Sequence, residues 1–215
     1  MPCPQLVQES FTFEQLSEDA KDKACESMRN SASYLDYDWY DCIYEDQKAL
    51  LAEKFIDVDR IYFSGFCCQG DGACFDGEVC NTQTASFMSV HELDKLYPMI
   101  YKVALENRGV YVRVNHSGHY YHQYSTSFDI GVESFSSYLE YPEGDLRRAL
   151  LEIWDNKLNQ EIPNFEKDVT KIFRKYMQDI YKALEMEHDY LMSDEVVSGH
   201  IQANEYLFDE DGDRL

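Results

Sequence analysis

"GVYVRVNHSGHYYHQYSTSFDIGVES", Gly109 to Ser134, decides the fold. Val110, Val112 and Val114 alternate with other residues, and Tyr120, His122, Tyr124, Thr126, Phe128, Ile130 and Val132 keep the same period of two. That period marks antiparallel strands with one face on a core and the other in water. Parity then constrains the turn. A two-residue loop at Ser117-Gly118 would pair Val114 with Tyr121 and put the two apolar rows on opposite faces. A three-residue loop, His116-Ser117-Gly118, pairs Val112 with His122 and Val114 with Tyr120. It also puts Gly118 where such a loop takes a left-handed residue. The three-residue loop is the expected one.

Upstream lie two strand-like pieces, "VDRIYFSG" (58–65) and "ACFDGEVC" (73–80), around a glycine- and cysteine-rich segment. Between them and the hairpin, "SVHELDKLYPMIYKVALENRG" (89–109) reads as a helix. Ser89 caps it with Glu92 three residues on, Gly109 stops it, and Pro98 divides or kinks it. Near the start, Ser17 caps a helix that carries Glu18 and Asp19 in its first turn and a stripe of Ala20, Ala24 and Met28. A second helix is expected over 39–54, where Trp39, Ile43, Leu50, Leu51 and Phe55 recur near helical spacing.

Downstream the chain turns helical from Pro142, with Leu146, Leu150, Ile153 and Trp154 on one stripe. After Pro163 the stripe is longer: Phe165, Val169, Ile172, Phe173, Tyr176, Met177, Ile180, Tyr181, Leu184. Lys167, Lys171, Arg174, Lys175 and Lys182 stand on the outer face, among acids. Ser193 caps a last short helix. The whole reads as an α+β fold: a single domain over 1–208, followed by an acidic C-terminal tail over 209–215. An antiparallel meander carries N-terminal helices and a long C-terminal amphipathic helix packed on one sheet face.

The chain has 215 residues and a net charge of −22, from 41 acidic and 19 basic residues. The charge sits at the two ends. Residues 1–60 hold 14 acids against 6 bases and residues 185–215 hold 10 against 1, whereas 141–184 balance at 8 and 8. Direct nucleic-acid binding is disfavoured, because phosphates must be neutralised by Lys and Arg. A basic protein partner is favoured by the same electrostatics. "MPCPQLVQES" lacks the basic and apolar regions of a secretory signal, and no apolar run approaches membrane-spanning length. A cytoplasmic setting with reduced thiols is expected, and no membrane partner.

The candidate sites are weighed one by one. "YFSGFCCQGDGACFDG" (62–77) lacks the third glycine and the following helix of a dinucleotide loop, and the Gly-Lys-Ser/Thr of a P-loop. Its cysteines, Cys67, Cys68, Cys74 and Cys80, are not paired as zinc ligands. His119 and His122 with Cys74 are the only metal candidates, and Asp71 joins them if the hairpin and the glycine segment are neighbours. His122 is expected on the core face beside Val112. Cys67 and Cys68 lie among acids that disfavour a thiolate, so they read as buried structural cysteines. No cofactor is expected. "FDEDGDRL" (208–215) is too short for a calcium loop and reads as an Asp-Gly turn or a solvated tail. Asp36, Asp38, Asp41, Glu45 and Asp46, among Tyr37 and Tyr40, form the leading partner-binding surface. Asp209, Glu210, Asp211 and Asp213 form the second. A shaped recognition loop carrying Phe66, Gln69 and Asp71 is the third.

"FTFEQLSEDAKDKA" (11–24), "IYFSGFCCQGDGACF" (61–75), "NHSGHYYH" (115–122) and "ANEYLFDEDGDR" (203–214) together resemble a family of small acidic proteins encoded by tailed bacteriophages. The likeness implies a viral accessory protein in the cytoplasm of an infected bacterium. It implies no activity for any single residue. The expected function is non-enzymatic: inhibition of a basic host defence or nucleic-acid-handling protein, as an anti-restriction or anti-CRISPR factor or a DNA mimic. One alternative is a small metal- or nucleotide-binding protein or enzyme built on the glycine segment and the histidine hairpin. Another is an antitoxin-like binding protein acting through helix 163–184.

Overall fold

The computed structural model describes residues 9–31, 34–35, 38–107, 109–134 and 145–215. In chain order the elements are β1 (Phe11–Thr12), a 3-10 turn (Phe13–Gln15), α1 (Glu18–Arg29), α2 (Asp41–Ala52), β2 (Asp57–Phe63), β3 (Ala73–Val79), α3 (Thr84–Val90), α4 (Leu93–Leu96), α5 (Pro98–Leu105), β4 (Val110–His116), β5 (Thr126–Val132), α6 (Asp145–Leu191), α7 (Asp194–Ala203) and β6 (Leu207–Phe208). The class is α+β, with an antiparallel sheet and a long C-terminal helix, as expected from the pattern. Contacts sort the chain into two compact units. One is made of both ends, residues 1–41 and 184–215, and the other of residues 42–183. Among the described residues no helix is long and apolar enough to cross a membrane.

In the 42–183 unit, β2, β3, β4 and β5 form one antiparallel sheet in that order. The alternation of the opening stretch yields both strands, but the turn is corrected. Val112 pairs with Ile130, Val114 with Phe128 and His116 with Thr126, so residues 117–125 are all loop. The loop closes on itself. Ser117 donates its N–H to the Ser125 carbonyl (2.8 Å), and Ser125 donates to His122 (2.7 Å). The register differs from the expected one by eight residues, an even number, so the facing of Phe128 and Ile130 is unchanged. His122 does not sit opposite Val112. It lies half-buried in the loop and stacks on Tyr124.

A register shift lies between Val58 and Arg60 on β2. Opposite it, a Cβ on Gly77 would stand 2.3 Å from the Asp57 carbonyl oxygen, so the close backbone approach requires glycine.

The core face of the sheet meets α6. Phe165, Val169, Phe173, Met177 and Ile180 are fully buried, at spacings of three and four. Phe173 is the hub: its ring lies 5.8 Å from Phe75, 6.1 Å from Phe87 and 5.9 Å from Phe128, centroid to centroid. Pro163 does not begin a helix here. It sits inside α6, a helix of 47 residues, on an exposed position where water can take up the carbonyl that loses its partner.

The single helix expected over 89–109 is three short ones. The run begins earlier, at Thr84, whose buried hydroxyl is shared between the carbonyls of Cys80 (3.1 Å) and Val110 (2.8 Å). Ser89 is therefore interior, and Glu92 has a left-handed φ of 58° between helices where a capping box was expected. Pro98 opens α5 at a first-turn position that needs no N–H.

In the unit of chain ends, α1 and α7 bury Ala20, Ala24, Met28, Val197 and Ile201 around Phe13, Leu16 and Phe208. Both caps are as expected: Ser17 accepts from the Ala20 N–H and Ser193 from the Val196 N–H. β1 pairs with β6, Phe11 opposite Phe208. Residues 209–215 form the Asp-Gly turn, not a loose tail. Asp209 Oδ1 accepts the N–H groups of Asp211 and Asp213. Gly212, at φ 86°, lies so close to Ala20 that a Cβ would be 2.3 Å from its carbonyl oxygen.

Candidate functional site

The segment 64–72 connects β2 to β3, and it is folded around one carboxylate. Gly65 and Gly70 take φ of 110° and 105°, conformations that side chains oppose. The chain thereby turns its amides inward. Asp71 Oδ2 accepts the N–H of Cys67 (2.9 Å) and of Cys68 (2.6 Å), and the Asp71 N–H donates to the Cys68 carbonyl (3.0 Å). Ser64 closes the base by donating to Gly72 (3.3 Å). With the amides inward, the side chains of Cys67 and Cys68 point out, and both are exposed. This corrects the expectation that they are buried. Phe66 packs on Phe63 (4.9 Å) and Tyr181 (5.5 Å), while Gln69 is exposed. Of the three expected loop contacts, Asp71 is thus engaged in shaping the loop.

The glycine segment and the 117–125 loop are neighbours at one end of the sheet. A Cβ on Gly70 would meet the Tyr120 ring at 2.8 Å, and one on Gly72 would meet His122 at 2.9 Å. Beside them is a recess of about 190 Å³ lined by Asp71, His122, Gln123, Met177, Gln178 and Tyr181. The metal candidates do not converge. His119 is exposed in the loop, His122 faces Gly72 and Tyr124, and Cys74 is fully buried on β3. Burial, and then the Asp76 charge, pushes the Cys74 thiol up to about 12, far from a thiolate at neutral pH. Among the described residues no group of three His, Cys, Asp or Glu side chains is placed to hold a metal ion.

Asp76 serves a structural cluster on the sheet. Tyr62 donates its hydroxyl hydrogen to Asp76 Oδ2 (2.7 Å), and the His116 N–H donates to Asp76 Oδ1. The rings of His116 and Tyr121 lie 4.9 and 5.3 Å from Tyr62. The hydrogen bond to Asp76, and secondarily burial, raises the Tyr62 phenol above its ordinary value.

The leading acidic surface is only partly assembled. Asp36 and Tyr37 lie outside the described residues. Asp38 and Asp41 are exposed in the unit of chain ends, where half-buried Trp39 and Tyr40 meet edge to face at 5.5 Å. Asp41 and Glu45 share one face of α2, one turn apart, and Glu45 is within 3.4 Å of Lys48. Glu45 and Asp46 belong to the 42–183 unit. In the second surface, Glu210, Asp211 and Asp213 are exposed, while half-buried Asp209 forms the turn.

Sequence reasoning passed over a denser acidic surface. The unit of chain ends carries 19 acidic and 4 basic residues, a net charge of −15, against 22 and 15, net −7, in the other unit. Asp19, Asp22 and Glu26 are exposed on α1, opposite its apolar stripe, with Asp194 and Glu195 on α7. All four cations of the unit are engaged inside it. Lys21 pairs with Glu18 (2.8 Å), Lys23 with Asp213 (3.0 Å) and Arg29 with Asp194. Arg214 lies over the Tyr206 ring at 3.6 Å. A recess of about 580 Å³ opens between Asp22, Cys25, Glu26, Arg29, Asn30 and Asp194. The spacing of the α1 acids at 19, 22 and 26 was the available signal.

A family described as "Domain of unknown function (DUF8835)" matches residues 39–194, and the chain belongs to that family. No curated protein matches the chain. No solved structure matches it.

Proposed function

We propose that the acidic unit of chain ends docks on a basic protein surface, and that the protein is a non-enzymatic inhibitor of a host defence or nucleic-acid-handling protein. The observation that carries this reading is the joining of two distant acidic stretches. They form one unit of net charge −15 whose four cations are already occupied. Such a concentration of like charge opposes folding through self-repulsion, and a cationic partner would relieve it. Charge of this kind also accelerates encounter with a basic surface and repels nucleic acid. The bacterial setting rests on the resemblance to tailed-phage proteins.

The α1 acids offered for docking are Asp19, Asp22 and Glu26, and Asp38, Asp41, Glu210 and Asp211 are exposed in the same unit. The test is capture from a bacterial lysate with the wild type and with an Asp19→Asn, Asp22→Asn, Glu26→Gln variant. The expected result is a basic partner that is released by moderate salt, is displaced from its nucleic acid, and is lost in the variant. Equal capture by both proteins, or a partner that keeps its nucleic acid when bound, sinks the reading.

A further inference from the structure

The 42–183 unit carries a feature opposite in sign to the charge of the whole. Lys167, Lys171, Arg174 and Lys175 follow one another on α6 at spacings that keep them on one side of the helix. With Gln123 and Tyr124 of the 117–125 loop they line a groove of about 870 Å³. That volume falls within the roughly 300–1,000 Å³ typical of small-molecule sites. Among the described residues none of these four cations forms an ion pair. In a chain with 41 acids, four adjacent cations left unneutralised need a reason.

Arg174 supplies a second observation. Its guanidinium lies over the rings of Tyr124 (4.9 Å) and Phe128 (5.9 Å), which fix its orientation. Its Nε is buried and has no hydrogen-bond partner. A buried guanidinium N–H without an acceptor is costly, and because Arg174 lines the groove, a shift of its side chain would bring that N–H to an oxyanion there. The groove is also partly apolar, through Tyr124, Pro163 and Ile172. It shares Gln123 and Gln178 with the smaller recess beside the glycine segment, so the two lie side by side. Glu166 lines the groove as well and disfavours an anion at its own position.

We propose that this groove binds a small phosphate ester of about nucleotide size, with its phosphate on Lys171 and Arg174 and its apolar part against Tyr124 and Ile172. A long polyanion fits less well. Past the reach of these four cations, about one Debye length or roughly 8 Å at physiological salt, it would meet the exposed acids of a unit whose net charge is −7.

Calorimetric titration of the full chain with AMP, ATP, inorganic phosphate and an oligothymidylate tests this. AMP or ATP is expected to bind saturably, one per chain, and more tightly than inorganic phosphate. The charge-reversal pair Lys167→Glu, Lys171→Glu, at exposed positions, is expected to weaken that binding at least tenfold while leaving the circular-dichroism melt in place. Arg174→Gln is expected to weaken it as well, with folding checked in the same way. No saturable binding of either nucleotide at millimolar concentration overturns the proposal, as does unchanged affinity in the folded charge-reversal variant. Equal affinity for inorganic phosphate overturns the ester reading. Tighter binding of the oligonucleotide overturns the preference for a small ligand.

Discussion

The carboxylate of Asp71 holds the backbone N–H of Cys68 at 2.6 Å, and that bond orients the tip of the β2–β3 connection. Charge-assisted hydrogen bonds of this kind contribute about 1.5–3 kcal/mol. Asp71→Ala is expected to lower stability by about 1–2 kcal/mol, less than the full value because the site is only half-buried. It is also expected to loosen the segment that presents Cys67 and Cys68. In the folded wild type these two exposed thiols are expected to react with an aromatic disulfide reagent, while the buried Cys25 and Cys74 are expected to be protected. A variant with unchanged melting temperature and unchanged labelling rate refutes the role given to Asp71.

Two glycines separate close backbone approach from simple flexibility. At Gly77 a Cβ would collide with the Asp57 carbonyl at 2.3 Å, and backbone cannot swing aside as a side-chain tip can. Gly77→Ala is expected to cost about 2–4 kcal/mol. Gly199 lies exposed inside α7 with nothing within 4 Å of its Cβ position. Gly199→Ala is expected to stabilise by about 0.5–1 kcal/mol. Urea unfolding of both variants decides, and the two shifts should have opposite signs.

His91 makes the stability depend on pH in a defined window. Its ring packs on Phe87 and Tyr176, and its Nε2 is buried without a partner. Burial first, then the charges of Lys54 and Lys175, lower it from 6.5 to about 4. The unfolded chain therefore binds this proton more readily than the folded one. The contribution is fully present above pH 6.5 and is lost as pH falls towards 4, up to about 3 kcal/mol. Carboxylates titrate in the same range, so the informative quantity is the difference from His91→Gln. Wild type should lose more stability than the variant between pH 7 and pH 4.5. Parallel curves exclude the effect.

Removing residues 209–215 is expected to destabilise the unit of chain ends by about 1–3 kcal/mol. The deletion takes away the Phe208–Arg214 bridge, the Leu215 N–H bond to Leu207 (2.9 Å) and the Lys23–Asp213 pair. A loose tail would leave the melt unchanged, so thermal unfolding of the truncated protein separates the two descriptions.

The strongly periodic parts of this fold are legible from sequence. The apolar stripe from Phe165 to Leu184 gives the helix, the valines from 110 to 114 give a strand, and Ser17 and Ser193 give two helix starts. Each rests on interactions between near neighbours. Three features are not legible because they are tertiary. The alternation runs on through Tyr120, His122 and Tyr124, yet these side chains pack on the glycine segment and on one another, so the strand pairs from Thr126 instead. Thr84 begins α3 because its hydroxyl finds the Val110 carbonyl, 26 positions along the chain. Pro163 stays inside α6 because Leu158 before it and Phe165 after it are both fully buried, although Leu150, Ile153 and Trp154 further back are exposed. The acidic surface was half-legible. The charge totals of the two ends are in the sequence, but their meeting in one unit is a matter of topology.

The pairing of Phe11 with Phe208 also sets an order of events on the ribosome. When β1 emerges, its partner strand has not been made. At about 5–20 residues per second, the wait for β6 is on the order of ten to forty seconds. By the end of that interval residues 42–183 have all been made and can form their contacts, while the acidic N-terminal stretch still has no α7 to pack against. The most highly charged part of the protein is therefore the last to close during synthesis, and until then α1 leaves Ala20, Ala24 and Met28 without their native cover.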